Sequence, residues 1–222
     1  MWTWHLLFMR AATSWRAAAA SAALILSVVN GLALLRSYLR DRPKLSIEVI
    51  HPEIYQWWFP LPGRTMPDGA MSRAYGFILY VGIANAGLRK VQINSWRLKL
   101  TNRLGKRHPL KPLNMTELTI TIGGPKKVLP VLGQRGINFD GETLVDAGCS
   151  ICGTAFYKYE CYGGNGWDPR NAGDKIIGIF SVTDVFGGRA STTIRFSAKT
   201  LDQLRKFIPE IGEIEQIAAT TD

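Results

Sequence analysis

The sequence predicts an all-β domain, an antiparallel β-sandwich of about seven to eight strands, preceded by one membrane-spanning helix. Apolar residues alternate with period two through most of the chain after residue 44, and clusters of Gly, Asn and Pro separate these segments. This pattern, almost free of helical periodicity, is typical of a sandwich. Residues 17–36, in contrast, carry no charge before Arg36. The chain of 222 residues suits one domain at residues 44–198 with an appendage at each end.

Residues 17–36 form the predicted transmembrane helix, and residues 1–16 are its N-terminal flank. The uncharged run from Ala17 to Leu35 would cover roughly 28 Å as a helix, close to the thickness of a hydrocarbon core. A buried helix of a soluble fold is disfavoured because the segment lacks a polar face. A cleaved signal peptide would need a shorter apolar core and a better small-residue cleavage site. Aromatic residues are typical of a membrane interface, and three tryptophans precede the run: Trp2, Trp4 and Trp15.

Positive charge beside the span predicts its orientation. Two arginines precede it, and four basic residues follow it: Arg36, Arg40, Arg42 and Lys44. The positive-inside rule therefore favours a cytoplasmic C-terminal domain, with these four side chains as candidate contacts to lipid headgroups. An odd number of cysteines, three, also fits a reducing compartment.

Two short segments flank the predicted domain. Residues 37–43 form a hinge, since Pro43 disfavours helix at the residue before it. Residues 199–222 form a helical tail, in which Thr200 is the N-cap and Gln203 completes a capping box. The tail has an apolar stripe that would either pack on its own domain or bind a partner helix. The stripe consists of Leu201, Leu204, Ile208 and Ile211.

The alternating segments predict the strands in chain order. The first places Leu45, Ile47 and Val49 on one face, and the second turns at residues 85–87 into a third. The apolar residues of the third segment change parity, which predicts a bulge or bend at residues 94–95. Further strands are predicted in residues 117–122, 127–132, 150–161 and 174–196, the last of these being a hairpin.

Residues 52–73 are predicted to be a long connection with a candidate partner-binding patch. Loops of this length are usually functional or disordered, and disorder does not suit a segment with this much aromatic surface. The aromatic residues would therefore plug the end of the core or bind a partner, with Arg64 and Arg73 as a polar rim. The candidate partner-binding residues are Tyr55, Trp57, Trp58 and Phe59.

The cysteines raise the question of a metal or redox site. Cys149 and Cys152 stand in a C-x-x-C pattern, with Cys161 nearby. A structural zinc site needs two further ligands, and the three histidines are scattered at His5, His51 and His108. A redox pair belongs at a helix N-terminus, but the residues that follow predict a strand. We therefore expect small, half-buried strand residues, no metal and no cofactor.

No recognisable motif for nucleophilic, phosphate-binding or dinucleotide chemistry is present, so we expect no enzymatic activity. The net charge of +10 suggests anionic partners. The basic residues at 103–111 predict a solvated loop, and no nucleic-acid module is recognisable among them. Nucleic acid is therefore not an expected partner.

The segments "VGIANAG" and "VTDVFGG" resemble the strand and turn punctuation of immunoglobulin-like domains. The layout of span, "RPK" hinge and sandwich resembles that of uncharacterised single-pass bacterial membrane proteins. That resemblance implies this architecture and a location at the bacterial inner membrane. It implies no particular activity. We therefore expect a membrane-anchored interaction module with a protein partner. The alternative is an exported envelope domain that binds glycan or an envelope protein complex.

Overall fold

A computed structural model describes residues 2–63, 65, 68–102, 105–113, 118–120, 127–129, 132, 144–162, 167–169, 175–207 and 211. The chain divides into two compact units, Met1–Arg42 and Pro43–Asp222. The first unit is a single helix, and the second contains all the described strands.

Helix α1 (Trp2–Asp41) is 40 residues long, and within its stretch Ala18–Asp41 an 18-residue window has a mean hydropathy of 2.1 and no buried residue. Its length and composition would allow it to cross a membrane, and signal sequences have the same two properties. The helix ends just before Arg42, as the position of Pro43 predicts. It includes residues 37–41, which the sequence assigned to the hinge, so the non-helical connection is shorter than expected.

Twelve strands and a second helix are described in the second unit. They are β1 (Leu45–Val49), β2 (Trp57–Leu61), β3 (Arg73–Asn85), β4 (Val91–Thr101), β5 (Arg107–Pro109), β6 (Lys111–Leu113), β7 (Leu118–Ile120), β8 (Lys127–Leu129), β9 (Leu144–Val145), β10 (Ser150–Cys161), β11 (Lys175–Asp184), β12 (Arg189–Ala198) and α2 (Leu201–Phe207).

Ten of these strands belong to one mixed sheet. Its order is β5-β4-β11-β12-β2-β3-β10-β6, with β1 also paired to β3 and β9 to β4. Strands β7 and β8 form a separate pair. The pairing of β2 with β12 is parallel, whereas the other described pairings are antiparallel. The mostly β architecture is confirmed. The sheet differs from the expected immunoglobulin-like sandwich in its strand number and in this parallel pair.

The sheet folds over on itself to enclose the main core. Strands β10 and β11 are separated by three others in the sheet order, yet the rings of Tyr157 and Phe180 lie 6.4 Å apart. Likewise, Phe77 of β3 meets Phe196 of β12 edge to face at 5.3 Å. One half therefore contains β1, β2, β3, β6 and β10, and the other contains β4, β5, β11 and β12, with β9 paired to the first residues of β4. Residues 107–113 run from one half to the other, because β5 pairs with β4 and β6 with β10.

Strand β2 corrects the prediction of a long loop at residues 52–73. β1 pairs with the second part of β3, and β2 pairs with the first part. The two strands therefore lie end to end along the same edge of β3. Gln56 joins them, since its buried side-chain amide accepts from the Tyr80 N–H and donates to the Ile50 and Tyr80 carbonyls at 3.0–3.1 Å. Pro60 has no N–H, and this position of its backbone faces β12. The pairing of β2 with β12 ends at Trp58 and Ala198, so no hydrogen bond between the two strands is lost at Pro60.

A second apolar cluster covers the outer face of β2, β3 and β10. Helix α2 lies over it, with Leu204 fully buried and Leu201 packed at its edge. The capping box is confirmed: the Thr200 N–H donates to Gln203 Oε1 at 3.1 Å, and the Gln203 N–H donates to Thr200 Oγ1 at 3.3 Å. The described part of the apolar stripe thus packs on its own domain, whereas Ile208 lies outside the described residues.

Candidate interaction surface

The outer face of β4, β5, β11 and β12 carries a group of cationic side chains. A register shift in the pairing of β4 with β11 leaves Asn94 unpaired, which confirms the predicted bulge. After this bulge Leu98 and Leu100 are fully buried, so Arg97 and Lys99 point outward. The same alternation turns Arg195 of β12 outward, and Arg107 is exposed on β5. We call Arg97, Lys99, Arg107 and Arg195 the basic face.

The basic face carries charge of one sign. Its other outward positions on β4, β11 and β12 carry no acidic residue: they include Thr101, Ile177 and Thr193, and Arg189 adds a further cation. None of its four cations forms an ion pair with a described carboxylate. Neighbouring strands lie about 4.8 Å apart, and alternate residues of one strand about 7 Å apart. Cations at this spacing with no compensating acid produce a positive potential that favours anionic partners.

A cleft of about 480 Å³ opens between β4 and the segment of β5 and β6. Arg97, Lys99 and Arg107 line it, together with Trp96. The Trp96 ring is half-buried and tilts over Phe180 at 6.2 Å. The cleft therefore combines a cationic rim with an apolar wall. Such a combination suits an acidic side chain that stands next to an aromatic or aliphatic one.

A buried ion pair at the start of β3 has a structural role. Asp168 is 5% exposed, and its carboxylate accepts from Arg73 at 2.7 Å and from the Tyr75 hydroxyl at 2.6 Å. Arg73 was predicted to be the rim of a binding patch, but it contacts Asp168 instead. The pair fastens the described segment 167–169 to the sheet.

Glu160 follows Tyr159 in β10, so it lies on the opposite face of that strand, close to two polar partners. Its carboxylate accepts from the Ser72 hydroxyl at 2.8 Å and lies 3.4 Å from Lys158 Nζ. Burial alone would raise the pKa of Glu160, but the Ser72 hydrogen bond and the Lys158 charge outweigh burial and lower it. The carboxylate is therefore held ionised as a structural group.

His108 packs in a group of three rings with Tyr159 and Trp167, the residue before Asp168. Its ring stacks on Trp167 at 5.1 Å and meets Tyr159 edge to face at 5.9 Å. The Tyr159 hydroxyl donates to the Trp167 carbonyl at 3.2 Å. Nε2 of His108 is buried without a hydrogen-bond partner among the described residues. Burial, followed by the charge of Lys106, lowers the pKa of His108, so the neutral imidazole is the packed form.

Three of the four predicted partner-binding residues lie in the core, and the fourth, Tyr55, packs at its edge. Trp57, Trp58 and Phe59 are 3%, 6% and 1% exposed, and Tyr55 is half-buried against Trp57 and Tyr80. Trp58 enters the main core, while Trp57 and Phe59 enter the second cluster. Both faces of β2 are thus covered, so Trp57, Trp58 and Phe59 are not accessible to a partner, whereas Tyr55 precedes β2 and remains partly exposed. Of the predicted rim, Arg64 lies outside the described residues.

The four candidate headgroup residues occupy two different settings. Arg36 and Arg40 are exposed in the last turns of α1, where Arg40 lies 3.5 Å from the Asp41 carboxylate. Arg42 follows the helix and places its guanidinium 5.0 Å from the centre of the Tyr38 ring. Lys44 is exposed at the start of the second unit.

The cysteines are separated in their environments. Cys149 and Cys152 are exposed rather than half-buried, whereas Cys161 is buried. Cys152 lies within β10, as predicted, and its Sγ is 3.8 Å from the Tyr80 hydroxyl. Within the described part of the chain, no group of three His, Cys, Asp or Glu residues is arranged to hold a metal ion.

No protein-family model and no curated protein matches the chain. Ten chains of solved structures match it. One is a Northeast Structural Genomics Consortium target, with a TM-score of 0.30 and 9% identity over 72% of this chain and 89% of that chain. Another is a candidate ApaA protein from Bordetella pertussis, with a TM-score of 0.26 and 13% identity over 70% of this chain and 93% of that chain. Likeness at this level carries no argument about function.

Proposed function

We propose that this protein is a non-enzymatic interaction module, anchored in the membrane by α1, that binds an acidic protein partner through the basic face. The observation that carries the proposal is the set of four cations on one sheet surface, Arg97, Lys99, Arg107 and Arg195, none of which pairs with a described carboxylate. A surface of this sign attracts carboxylate-rich partners. The adjacent cleft beside Trp96 gives an anchoring side chain a place to be buried.

The proposed location is the bacterial inner membrane, with a single span and a cytoplasmic C-terminal domain. The exposed apolar stretch of α1 supports the span. The larger number of basic residues after the span than before it supports the orientation. The resemblance to single-pass bacterial proteins with immunoglobulin-like domains supports both the compartment and the finer fold assignment.

A protein partner is favoured over nucleic acid. Proteins that bind single strands stack bases on aromatic side chains, and the outward positions of β4, β11 and β12 include no aromatic residue. Half-buried Trp96 lies in the cleft, where one side chain would fit better than a row of bases.

Site-specific photo-crosslinking in cells tests the basic face. A photoreactive residue at Thr193, which is exposed beside the four cations, should give a discrete protein adduct. The double substitution Arg97→Glu and Lys99→Glu should abolish that adduct. The control Arg205→Glu with Lys206→Glu makes the same charge change on exposed α2 positions and should leave the adduct intact. An adduct unaffected by either double variant would show that the basic face is not the binding surface.

The alternative function, an exported envelope domain that binds glycan or an envelope protein complex, requires the opposite orientation. A reporter that is active only in the cytoplasm, fused to the C-terminus of the full chain, separates the two. Activity supports the proposal. If a periplasm-specific reporter is active instead, the envelope alternative replaces it.

A further inference from the structure

Three turns meet at the end of the β domain where the chain enters it. They are the β3–β4 turn (residues 86–90), the turn before β10 (residues 146–149) and the β11–β12 turn (residues 185–188). We call them, together with Lys44, the Lys44 end. The Ala86 N–H donates to the Lys44 carbonyl at 2.9 Å, and the Val185 N–H donates to the Gln92 carbonyl at 3.1 Å. The Gly148 N–H donates to the Asn85 carbonyl at 2.9 Å, so the turn before β10 lies at this end as well.

Asn85, which is fully buried, holds the first two turns in position. Its Oδ1 accepts from the N–H groups of Lys44 at 3.3 Å and Gly87 at 3.0 Å. Its Nδ2 donates to the Arg89 carbonyl at 2.7 Å and to the Val145 carbonyl at 3.3 Å. The turn is therefore fixed by its own buried amide, and Leu88 at its tip is left 62% exposed.

Asp184 holds the third turn in the same way. Its carboxylate accepts from the N–H groups of Phe186 at 2.8 Å and Gly188 at 2.7 Å. Gly187 has a φ of 82°, which a residue with a side chain rarely adopts. The turn therefore holds Phe186 outward at 67% exposure, with Val185 at 50%.

Basic side chains surround these exposed apolar tips. Lys44, Arg89 and Arg189 are exposed and form no ion pair with a described carboxylate, while Lys90 pairs with Asp146 at 3.0 Å. Exposed apolar residues flanked by cations are the composition of surfaces that rest in a bilayer interface. Phe186, Leu88 and Val185 would otherwise remain in water on turns that cannot fold them inward.

We infer that the Lys44 end docks on the membrane that holds α1, with Leu88, Val185 and Phe186 in the interfacial layer and the cations on anionic headgroups. This inference rests on the proposed anchoring. The chain needs only three residues from Asp41, the last helical residue, to Lys44, a reach of about 10 Å at most. A covalent link this short keeps the Lys44 end at high local concentration beside the lipid. Lipid is therefore the favoured occupant of this surface.

The test uses the full chain in vesicles of phosphatidylglycerol and phosphatidylcholine. Exposed Cys149 and Cys152 are replaced by Ser, and an environment-sensitive fluorophore is attached at Val185→Cys or, as control, at Met71→Cys. Met71 is 68% exposed, but it precedes β3, whose 13 residues extend about 40 Å from the Lys44 end. We expect the label at 185 to emit at shorter wavelength, to be quenched by nitroxide lipid and to be shielded from iodide. The label at 71 should show the opposite behaviour.

Two further arms make the result decisive. Leu88→Asp with Phe186→Asp should expose the label at 185 to iodide without changing the label at 71, which also reports that the variant is folded. Iodide access to the label at 185 in the parent chain would overturn the inference. Protection from iodide without quenching by nitroxide lipid would also overturn it, because protein rather than lipid would then cover this end. Alkaline carbonate extraction is run in parallel: release of the chain refutes the anchor itself, whereas retention with an iodide-accessible label refutes only the docking.

Discussion

At the scale of single residues, two buried side-chain amides make hydrogen bonds to backbone groups that lack a partner in a neighbouring strand. Gln56 bridges the gap between β1 and β2, and Asn85 connects the turns of the Lys44 end. Both contribute donors and acceptors where irregular chain would leave backbone groups unpaired. The sequence indicated a turn at Asn85 because Asn, Ala and Gly follow one another there. It offered no comparable signal for Gln56, because a glutamine between two apolar segments is usually a solvated loop residue.

Gln56→Ala should destabilise the protein by about 2–3 kcal/mol, because the Tyr80 N–H loses its acceptor and the two carbonyls lose the buried Gln56 amide as donor. The matched control is Gln203→Ala, which removes half of an exposed capping box and should cost less than about 1 kcal/mol. Thermal or urea unfolding of the full chain in detergent measures both. Equal losses for the two variants would contradict the bridging role of Gln56.

His108 predicts a pH dependence of stability. Its pKa is lower in the folded protein than in the unfolded chain, so the unfolded chain binds the proton more readily. Stability should therefore decrease as the pH falls below about 6.5, the ordinary pKa of histidine, until the folded pKa is reached. Glu160, with a lowered pKa, stays ionised in this range and loses its contribution only in more acidic solution.

His108→Phe keeps a ring against Trp167 but removes the titrating group. We expect the difference in melting temperature between pH 7.5 and pH 5.5 to be smaller in this variant than in the parent. The same difference in both proteins would show that His108 does not contribute to the pH dependence.

At the scale of elements, the sequence predicted strands best where one face is buried. The bulge at Asn94 followed from a parity change, and the start of α2 followed from Thr200 and Gln203. Strand β2 was missed because both of its faces are covered, so its residues form a continuous apolar run without alternation. Pro60 also made the strand hard to predict, because a proline is tolerated there only since β12 stops pairing with β2 before Pro60.

Helix α2 provides a prediction at this scale. Leu204 is fully buried in the second cluster, so Leu204→Ala should cost about 2–4 kcal/mol of stability. Arg205→Ala, one residue away on the exposed side, should change it by less than about 0.5 kcal/mol. The two are compared by urea unfolding of the full chain. If Leu204→Ala left stability unchanged, the helix would not be part of the domain, and a partner-binding tail would be the better account.

At the scale of the whole molecule, the net charge of +10 is informative only after the sheet is known. Arg97, Lys99, Arg107 and Arg195 are spread over 99 positions of the sequence, and no local motif joins them. The register of β4, β5, β11 and β12 places them on one surface. The sequence was more informative about α1, because an uncharged run of this length is a local signal that needs no tertiary contact.

The central claim, a β domain anchored by one membrane-spanning helix, is tested most directly by alkaline carbonate extraction of membranes that contain the full chain. The exposed apolar stretch Ala18–Asp41 has no protein surface to cover it within the described residues, so lipid should retain it. We predict that the protein remains in the membrane pellet after carbonate treatment and is released only by detergent. Full-length protein in the carbonate supernatant would contradict the anchor and, with it, the proposed function.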